Sequence, residues 1–180
     1  IYLLINSNTE NNLFDINIIY IFIFGSAGSL LIGIIDDVLS IKPWPRLLSQ
    51  IVLASIIWQA GLSIKVIDIN LPILQHNIIN LPNLLSYIIT LIWIVGLINC
   101  INWMDGLDGL ASGVTLIISG SIYFLSIARG NSEAVLITTI LFGCCLGFLI
   151  QNLKPSYIFM GDSGSYFLGF NLSTLSILAS

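Results

Sequence analysis

The strongest constraint on this chain is a series of long apolar segments that contain no charged residue. Residues 16–35 form the first complete one, and its roughly 20 residues are enough to span a bilayer as a helix. Five more follow, at residues 47–64, 84–101, 110–128, 134–150 and from 166 onward. The pattern predicts an all-α polytopic membrane protein with about six transmembrane helices.

The composition excludes a soluble globular protein. Hydrophobic residues make up 57% of the 180 residues and charged residues only 8%, whereas soluble domains carry about 25% charged residues. Five basic residues and a net charge of −4 are too little positive charge to bind a nucleic-acid backbone. Because the chain begins without Met and ends inside an apolar segment, we interpret residues 1–180 as one partial membrane domain, an internal fragment that lacks N- and C-terminal helices.

A short polar connection separates the second apolar segment from the third. Residues 63–69 alternate between apolar and polar side chains, and the turn-forming residues Asn70, Pro72, Asn77 and Pro82 follow. This alternation with turn residues is typical of a hairpin. The sequence therefore predicts a short extracytoplasmic β-hairpin.

Four polar residues recur at intervals of three at the end of the third apolar segment: Asn99, Asn102, Asp105 and Asp108. On a continuous helix this spacing places their side chains near one face. Carboxylates and carboxamides in a row offer oxygen ligands of the kind that Mg²⁺ accepts. The alternative is a polar helix end, since Asn and Asp cap helices and the glycines at 106, 109 and 113 interrupt them.

Two further acidic patches lie at the ends of apolar segments. Asp36 and Asp37 follow the first segment, and Asp162 precedes the sixth. An even number of predicted crossings separates each patch from the next, so we expect five carboxylates on one face of the membrane: Asp36, Asp37, Asp105, Asp108 and Asp162. The other four acids are expected on the opposite face: Glu10, Asp15, Asp68 and Glu133.

The basic residues indicate which face this is. The acidic face carries three of them, Lys42, Arg46 and Lys154, and the opposite face carries two, Lys65 and Arg129. By the positive-inside rule this difference favours a cytoplasmic acidic face.

A cluster of five carboxylates suits a divalent cation, because the cation relieves their mutual repulsion. Mg²⁺ usually takes one or two carboxylates and completes its shell with waters and substrate phosphates, which points to a diphosphate substrate. Two neighbouring carboxylates also raise the pKa of one of them, so the same pocket suits a general base.

The three acidic segments together resemble the polyprenyl-phosphate N-acetylhexosamine-1-phosphate transferases, which belong to glycosyltransferase family 4. The matching stretches are GIIDD at residues 33–37, NxxNxxDGxDG at 99–109 and FMGDxGS at 159–165. Their order and the number of apolar segments between them also match. The resemblance covers nearly the whole chain.

The resemblance implies transfer of N-acetylhexosamine 1-phosphate from a UDP-sugar to undecaprenyl or another polyprenyl phosphate, with release of UMP. This reaction initiates a lipid-linked cell-envelope glycan. The implied cofactor is Mg²⁺, with Mn²⁺ as a substitute, and the implied location is the bacterial inner membrane with the active site facing the cytoplasm. The resemblance is also compatible with a homodimer. The Asp-Asp loop and the DGLDGLASG stretch are more similar to the O-antigen and teichoic-acid branch than to the peptidoglycan branch.

The resemblance also implies roles for single residues. Asp162 and Asp108 correspond to metal-binding positions, and the catalytic positions are Asp36, Asp37, Asp105 and Asp108. The Asp36–Asp37 pair would supply a base for the lipid phosphate or would position the acceptor or the metal. Substrate contacts fall on Asn99, Asn102, Asn152 and Phe159. Of these, Asn152 would contact the nucleoside and Phe159 would stack on uracil, although Phe159 also reads as an ordinary interfacial aromatic residue.

Two other functions compete with this interpretation. A cation or proton transporter would line its path with intramembrane carboxylates, whereas the acids of this chain cluster at the ends of segments. An inactive structural homologue would keep the same motifs by descent, so the motifs alone do not distinguish an active enzyme from an inactive relative.

Overall fold

The computed structural model describes residues 15–69, 77–153 and 158–180, with the side chains of residues 68, 69, 77 and 78 excepted. In chain order the elements are α1 (Ile16–Leu39), α2 (Pro43–Gln59), β1 (Val66–Ile69), β2 (Asn77–Asn80), α3 (Asn83–Met104), α4 (Leu110–Arg129), α5 (Ser132–Asn152) and α6 (Gly161–Ala179). One helix occupies each of the six apolar segments found in the sequence.

Local sequence explains several helix boundaries. Asp15 begins α1 and Asn131 begins α5, because the side chain of each accepts a hydrogen bond from a backbone N–H of the first turn. Pro43 lies in the first turn of α2, where its missing N–H would have had no helical partner. Gly130 ends α4 in the left-handed conformation, with a φ of 68°. The resulting tight turn makes α4 and α5 antiparallel neighbours.

Helix α6 lies at the centre of the bundle and contacts α1, α3, α4 and α5. Thirteen of its 19 residues are buried. Glycines permit close approach at two crossings: a Cβ at Gly33 of α1 would overlap the backbone of Ser163, and a Cβ at Gly169 of α6 would overlap the backbone of Ile98 in α3. Such small residues let helix backbones pack directly against one another, as in other membrane bundles.

The apolar core surrounds α6, and many apolar side chains of the other helices point outward. The largest fully buried apolar side chains come from α6 and α3: Tyr166, Phe170, Leu172, Leu175, Ile94, Ile98 and Ile101. Large exposed apolar residues are spread along α1, α3, α4 and α5, among them Phe24, Ile92, Ile117, Phe124 and Ile150. A helix bundle with an apolar exterior is the arrangement that a lipid environment requires.

Four helices of the described chain, α1, α3, α4 and α5, are long and apolar enough to cross a membrane by length and composition. The prediction of about six transmembrane helices is thus confirmed for four. Helix α2 has 17 residues, somewhat fewer than the ~20 that span a bilayer. Helix α6 is more polar, and its polar side chains find partners inside the protein: Asn171 Oδ1 accepts a hydrogen bond from the Ser26 hydroxyl of α1 (2.9 Å).

The predicted hairpin is present. Strands β1 and β2 pair in antiparallel fashion, with Val66 opposite Asn80 and Ile69 opposite Asn77. Behind the hairpin, the Thr90 hydroxyl of α3 accepts a hydrogen bond from the Ile64 backbone N–H (3.0 Å). This contact fixes the hairpin to the beginning of α3.

The helices alternate in direction, so the bundle has two distinct ends. The acidic end is where α1, α3 and α5 finish and α2, α4 and α6 begin, and it carries Asp36, Asp37, Asp105 and Asp162. At the opposite end, which also holds the hairpin, the Asp15 backbone N–H donates to Glu133 Oε1 (2.8 Å). Glu10, Lys154 and the side chain of Asp68 lie outside the described part of the chain.

Candidate functional site

Asp37 joins the end of α1 to the beginning of α6. Its Oδ1 accepts a hydrogen bond from the Asp162 backbone N–H (2.9 Å) and its Oδ2 accepts one from the Ser163 backbone N–H (3.0 Å). No residue of the α6 N-terminus itself provides a side-chain cap. Asp37 therefore satisfies, from another helix, two of the backbone donors that a helix start leaves unpaired.

Asp36, the preceding residue, points into the protein and is only 4% exposed. Its Oδ2 accepts a hydrogen bond from the Tyr166 hydroxyl (2.6 Å) and lies 3.5 Å from an Arg46 guanidinium nitrogen. Its Oδ1 accepts a hydrogen bond from the Ile41 backbone N–H (3.0 Å). Both carboxylate oxygens are thus engaged by protein groups.

Asn102 connects α3 to the first turn of α6. Its side-chain nitrogen donates hydrogen bonds to Asp162 Oδ1 and to the Ser165 hydroxyl, the latter at 3.0 Å. The amide thereby holds one oxygen of Asp162 in place. The assignment of Asn102 as a substrate contact stays a prediction.

The prediction that four polar residues share one helix face is wrong. Helix α3 ends at Met104, Asp105 forms its C-cap, and Asp108 lies in the turn before α4. Asn99 remains on α3 but donates to Gln50 Oε1 of α2 (2.7 Å). The turn that follows contains Gly106 and Gly109, and the φ of 78° at Gly109 makes Leu110 the start of a separate helix, α4, and not a continuation of α3.

Asp105 faces the other acids of this end. Burial first, and then the charges of Asp162 and Asp37, raise the pKa of the Asp105 carboxyl from 3.8 to about 6, while a hydrogen bond from the Gly161 backbone opposes the rise. This carboxyl is therefore partly protonated near neutral pH when no cation is bound. Burial is the largest cause of the shift, and repulsion among three carboxylates from three separate segments adds to it.

The turn between α3 and α4 is held by Asn152 at the end of α5. Asn152 Oδ1 accepts a hydrogen bond from the Gly109 backbone N–H (2.8 Å), and its side-chain nitrogen donates to the Ile158 carbonyl oxygen (2.8 Å). The side chain is 4% exposed. Its amide thus ties the 105–109 turn to the segment that leads into α6, and its contact with a nucleoside stays a prediction.

Asp108 and Phe159 lie at the surface of the acidic end. Asp108 is exposed and makes no hydrogen bond or ion pair with the described residues. Phe159 is 75% exposed, immediately before Met160 and the start of α6. Both side chains are open to a ligand, and their proposed roles stay predictions.

A magnesium ion at the acidic end would have to take part of its coordination from a substrate. In the described part of the chain, no three His, Cys, Asp or Glu side chains form a group able to hold a metal by themselves. Mg²⁺, however, commonly takes one or two carboxylates and fills its remaining positions with water and phosphate oxygens. Of the two carboxylate oxygens of Asp162, only Oδ1 accepts a hydrogen bond from the described residues, so Oδ2 is available. Asp105 lies nearby, and a cation would favour the charged form of its carboxyl.

Sequence reasoning missed three residues that organise this site. Tyr166, Arg46 and Ser165 each bind one of the predicted acids or the amide next to it. No local signal identifies Tyr166, because the acid that it binds, Asp36, lies 130 residues away along the chain. Arg46 was used only as a marker of orientation.

The family model for glycosyl transferase family 4 matches residues 19–180. A phospho-N-acetylmuramoyl-pentapeptide-transferase from Clostridioides difficile (strain 630) is 44% identical over 72 residues, covering 38% of this chain and 22% of that protein. A probable undecaprenyl-phosphate N-acetylglucosaminyl 1-phosphate transferase from Bacillus subtilis (strain 168) is 38% identical over 69 residues, covering 38% of this chain and 19% of that protein. The matched segment thus spans about a fifth of the length of these relatives.

Proposed function

The chain belongs to glycosyl transferase family 4, and on this basis we propose that the protein transfers N-acetylhexosamine 1-phosphate from a UDP-sugar to a polyprenyl phosphate. The products are the polyprenyl-diphosphate-linked sugar and UMP. The acceptor is a membrane lipid, in keeping with the four apolar helices of spanning length.

One observation carries the proposal. Asp37, Asp105 and Asp162 come from three segments far apart in the sequence and meet at one end of the helix bundle. Isolated charges at helix ends need no such convergence, whereas a site for a metal-bound diphosphate needs several oxygen ligands together. The cluster also lies at the ends of apolar helices, where a lipid phosphate is accessible.

In the proposed reaction an oxygen of the lipid phosphate forms a bond to the phosphorus that carries the sugar, and the bond from that phosphorus to the UMP oxygen breaks. Bound Mg²⁺ would neutralise the diphosphate charge, and Asp162 with Asp105 or Asp108 would hold it. Phosphoryl transfer depends mainly on positioning and charge stabilisation, so we assign positioning to the remaining groups. A lipid phosphate is already ionised near neutral pH and needs little help from a base.

Two side chains of the acidic end would contribute to substrate placement. Asn102 holds Asp162 by a hydrogen bond, which fixes the oxygen ligand before the substrate arrives. Phe159 is exposed beside the site, where its ring would stack on uracil. We place the site at the cytoplasmic face of a bacterial inner membrane, which is the side where UDP-sugars are made.

The identity of the sugar is part of the proposal. The relatives include both a phospho-N-acetylmuramoyl-pentapeptide-transferase and a probable N-acetylglucosaminyl 1-phosphate transferase, at 44% and 38% identity over similar lengths. A difference of this size does not indicate which of the two sugars this protein transfers. We choose UDP-N-acetylglucosamine as the first substrate to test because the motif resemblance favours that branch.

The test is release of UMP from UDP-N-acetylglucosamine by the full-length protein, with Mg²⁺ and undecaprenyl phosphate. We expect Asp162→Asn and Asp108→Asn to abolish release while the protein still inserts into membranes. Asp15→Asn, which removes the same charge at the opposite end of the bundle, is the control and should stay active. Full activity in both site variants would refute the metal site, and cation flux without UMP release would favour a transporter.

A further inference from the structure

The two neighbouring acids at the end of α1 have different surroundings, although the sequence does not distinguish them. Asp36 is 4% exposed, and it accepts a hydrogen bond from the fully buried Tyr166 (0% exposed). Asp37 is exposed, and it accepts its hydrogen bonds from the backbone of α6. Successive residues of a helix point about 100° apart, so the two carboxylates cannot serve the same partner.

Asp36 is held on both oxygens. Tyr166 and Arg46 approach Oδ2, at 2.6 and 3.5 Å, and the Ile41 backbone N–H donates to Oδ1 at 3.0 Å. A carboxylate engaged by a hydroxyl, a guanidinium and a backbone amide has little capacity left for a substrate. Its contacts instead join three segments: the end of α1, the beginning of α2 and the first turns of α6.

The contact between Tyr166 and Asp36 fixes the rotation of α6 about its axis and its position along α1. Tyr166 lies four residues after Asp162, which is about one helical turn, so the two side chains emerge on nearly the same side of α6. Fixing the Tyr166 hydroxyl against α1 therefore fixes the first turn of α6 against the same helix. The Gly33 crossing, where the α1 backbone meets Ser163 directly, leaves this turn no space to shift inward.

We propose that Tyr166 and Asp36 form a positioning pair, which sets the first turn of α6 so that Asp37 caps it and Asp162 faces the substrate. In this division of roles Asp36 does not contact the substrate, whereas Asp37 and Asp162 face the substrate-binding site. The statement about substrate rests on the proposed transferase function. The statement about the position of α6 does not.

The first measurement is amide hydrogen exchange of the full-length protein, which requires no activity. Tyr166→Phe keeps the ring and removes the hydroxyl. We expect the peptide containing residues 161–165 to exchange about tenfold faster, the effect of losing one hydrogen bond to a charged group. The matched control is Tyr87→Phe, which removes a hydroxyl hydrogen bond to Ser55 (2.9 Å) between α2 and α3 and should leave this peptide unchanged.

The second measurement is UMP release. In Tyr166→Phe we expect kcat to fall by about tenfold or more, since a small displacement of groups at the reacting centre has effects of this size, with the KM for the UDP-sugar nearly unchanged. Asp36→Ala should lower kcat at least as much, because it also removes the contacts with Arg46 and the Ile41 backbone. Adding Tyr166→Phe to Asp36→Ala should lower kcat no further, because without the Asp36 carboxylate the Tyr166 hydroxyl has no partner on α1.

The outcomes separate the two claims. Unchanged exchange at residues 161–165 in Tyr166→Phe overturns the positioning pair, and so does additive loss of kcat in the double variant or equal loss in Tyr87→Phe. If exchange rises in Tyr166→Phe but the wild-type protein releases no UMP, the positioning pair stands and the proposed transferase function fails.

Discussion

Replacing Asp37 with alanine should loosen the start of α6, because the cap of this helix is supplied from α1. The substitution removes the acceptors for the Asp162 and Ser163 backbone N–H groups, at 2.9 and 3.0 Å. Since α6 has no side-chain cap of its own, both donors would be left to water. The change also removes a negative charge from a helix N-terminus, where a negative charge is favourable.

The size of the effect follows from the geometry. Loss of an N-cap costs about 1 kcal/mol and up to about 2 kcal/mol in folded proteins. Two charge-assisted hydrogen bonds would cost more if they were buried, but Asp37 is exposed and solvent weakens them. We therefore expect Asp37→Ala to lower the free energy of unfolding by about 1–2 kcal/mol, and Asp37→Asn, which keeps one acceptor oxygen, by about half as much.

The assay is thermal unfolding in detergent, read together with UMP release. For a chain of this size 1 kcal/mol corresponds to about 2–4 °C, so Asp37→Ala should lower Tm by roughly 2–8 °C. Asp15→Ala is the control, because it removes the side-chain cap of α1 at the opposite end. It should lower Tm by a comparable amount without lowering kcat. If Asp37→Ala keeps the wild-type Tm, the capping role is refuted, whatever happens to activity.

Two other predictions concern the same end of the bundle. The pKa of Asp105 is about 6 in the folded protein against 3.8 as its ordinary value, so folding favours its protonated form. This stabilisation is complete below about pH 4 and is lost as the pH rises through 6. In the absence of divalent cations Asp105→Asn should therefore remove part of the fall in Tm between pH 4 and pH 7, and an unchanged pH profile would contradict the shift. Gly33→Ala should cost about 1–3 kcal/mol, because its Cβ meets the Ser163 backbone, whereas Gly147→Ala in α5, with open space around it, should be neutral or slightly stabilising in the same unfolding assay. Equal effects of the two alanines would show that α1 and α6 are not closely packed.

The placement of the acidic segments at one end could be predicted because it depends only on counting apolar segments. Each segment forms a helix, and the direction of the chain reverses at each connection. The segments that contain Asp37, Asp105 and Asp162 therefore lie at the same end of the bundle, and the packing of the helices then brings them together. The hairpin was predictable for a similar reason, since alternation and turn residues are local signals.

The polar stripe was misread because its spacing was given more weight than its glycines. An interval of three fits a helix, but Gly106 lies inside the stripe and Gly109 directly follows it, and Gly109 takes a left-handed conformation. The resulting turn places Asp105 near Asp162 and leaves Asp108 exposed. For Asp105 and Asp108 the alternative interpretation, a polar helix end, is therefore the correct one.

The partners of Asp36 could not be predicted, since they depend on how distant helices pack. Tyr166 is 130 residues away along the chain, and nothing local relates the two residues. Counting crossings gives the end of the bundle at which a side chain lies, but not its rotation about the helix axis. That rotation decides which acid of the pair is buried and which one is exposed, and so it decides their roles.

Helix α6 carries part of the site, yet hydropathy alone does not identify it as a helix of the membrane bundle. A helix that faces lipid needs an apolar surface on all exposed sides, whereas a helix enclosed by other helices can carry polar residues if they are paired. In α6 the side chains of Asn171 and Tyr166 are paired with Ser26 and Asp36 of α1, and most of the helix is buried. Because α6 is surrounded by protein and Asp37 caps its first turn, that turn presents Asp162 from a fixed position. Helix α6, which is less apolar than α1, α3, α4 and α5, is therefore well placed to carry Asp162.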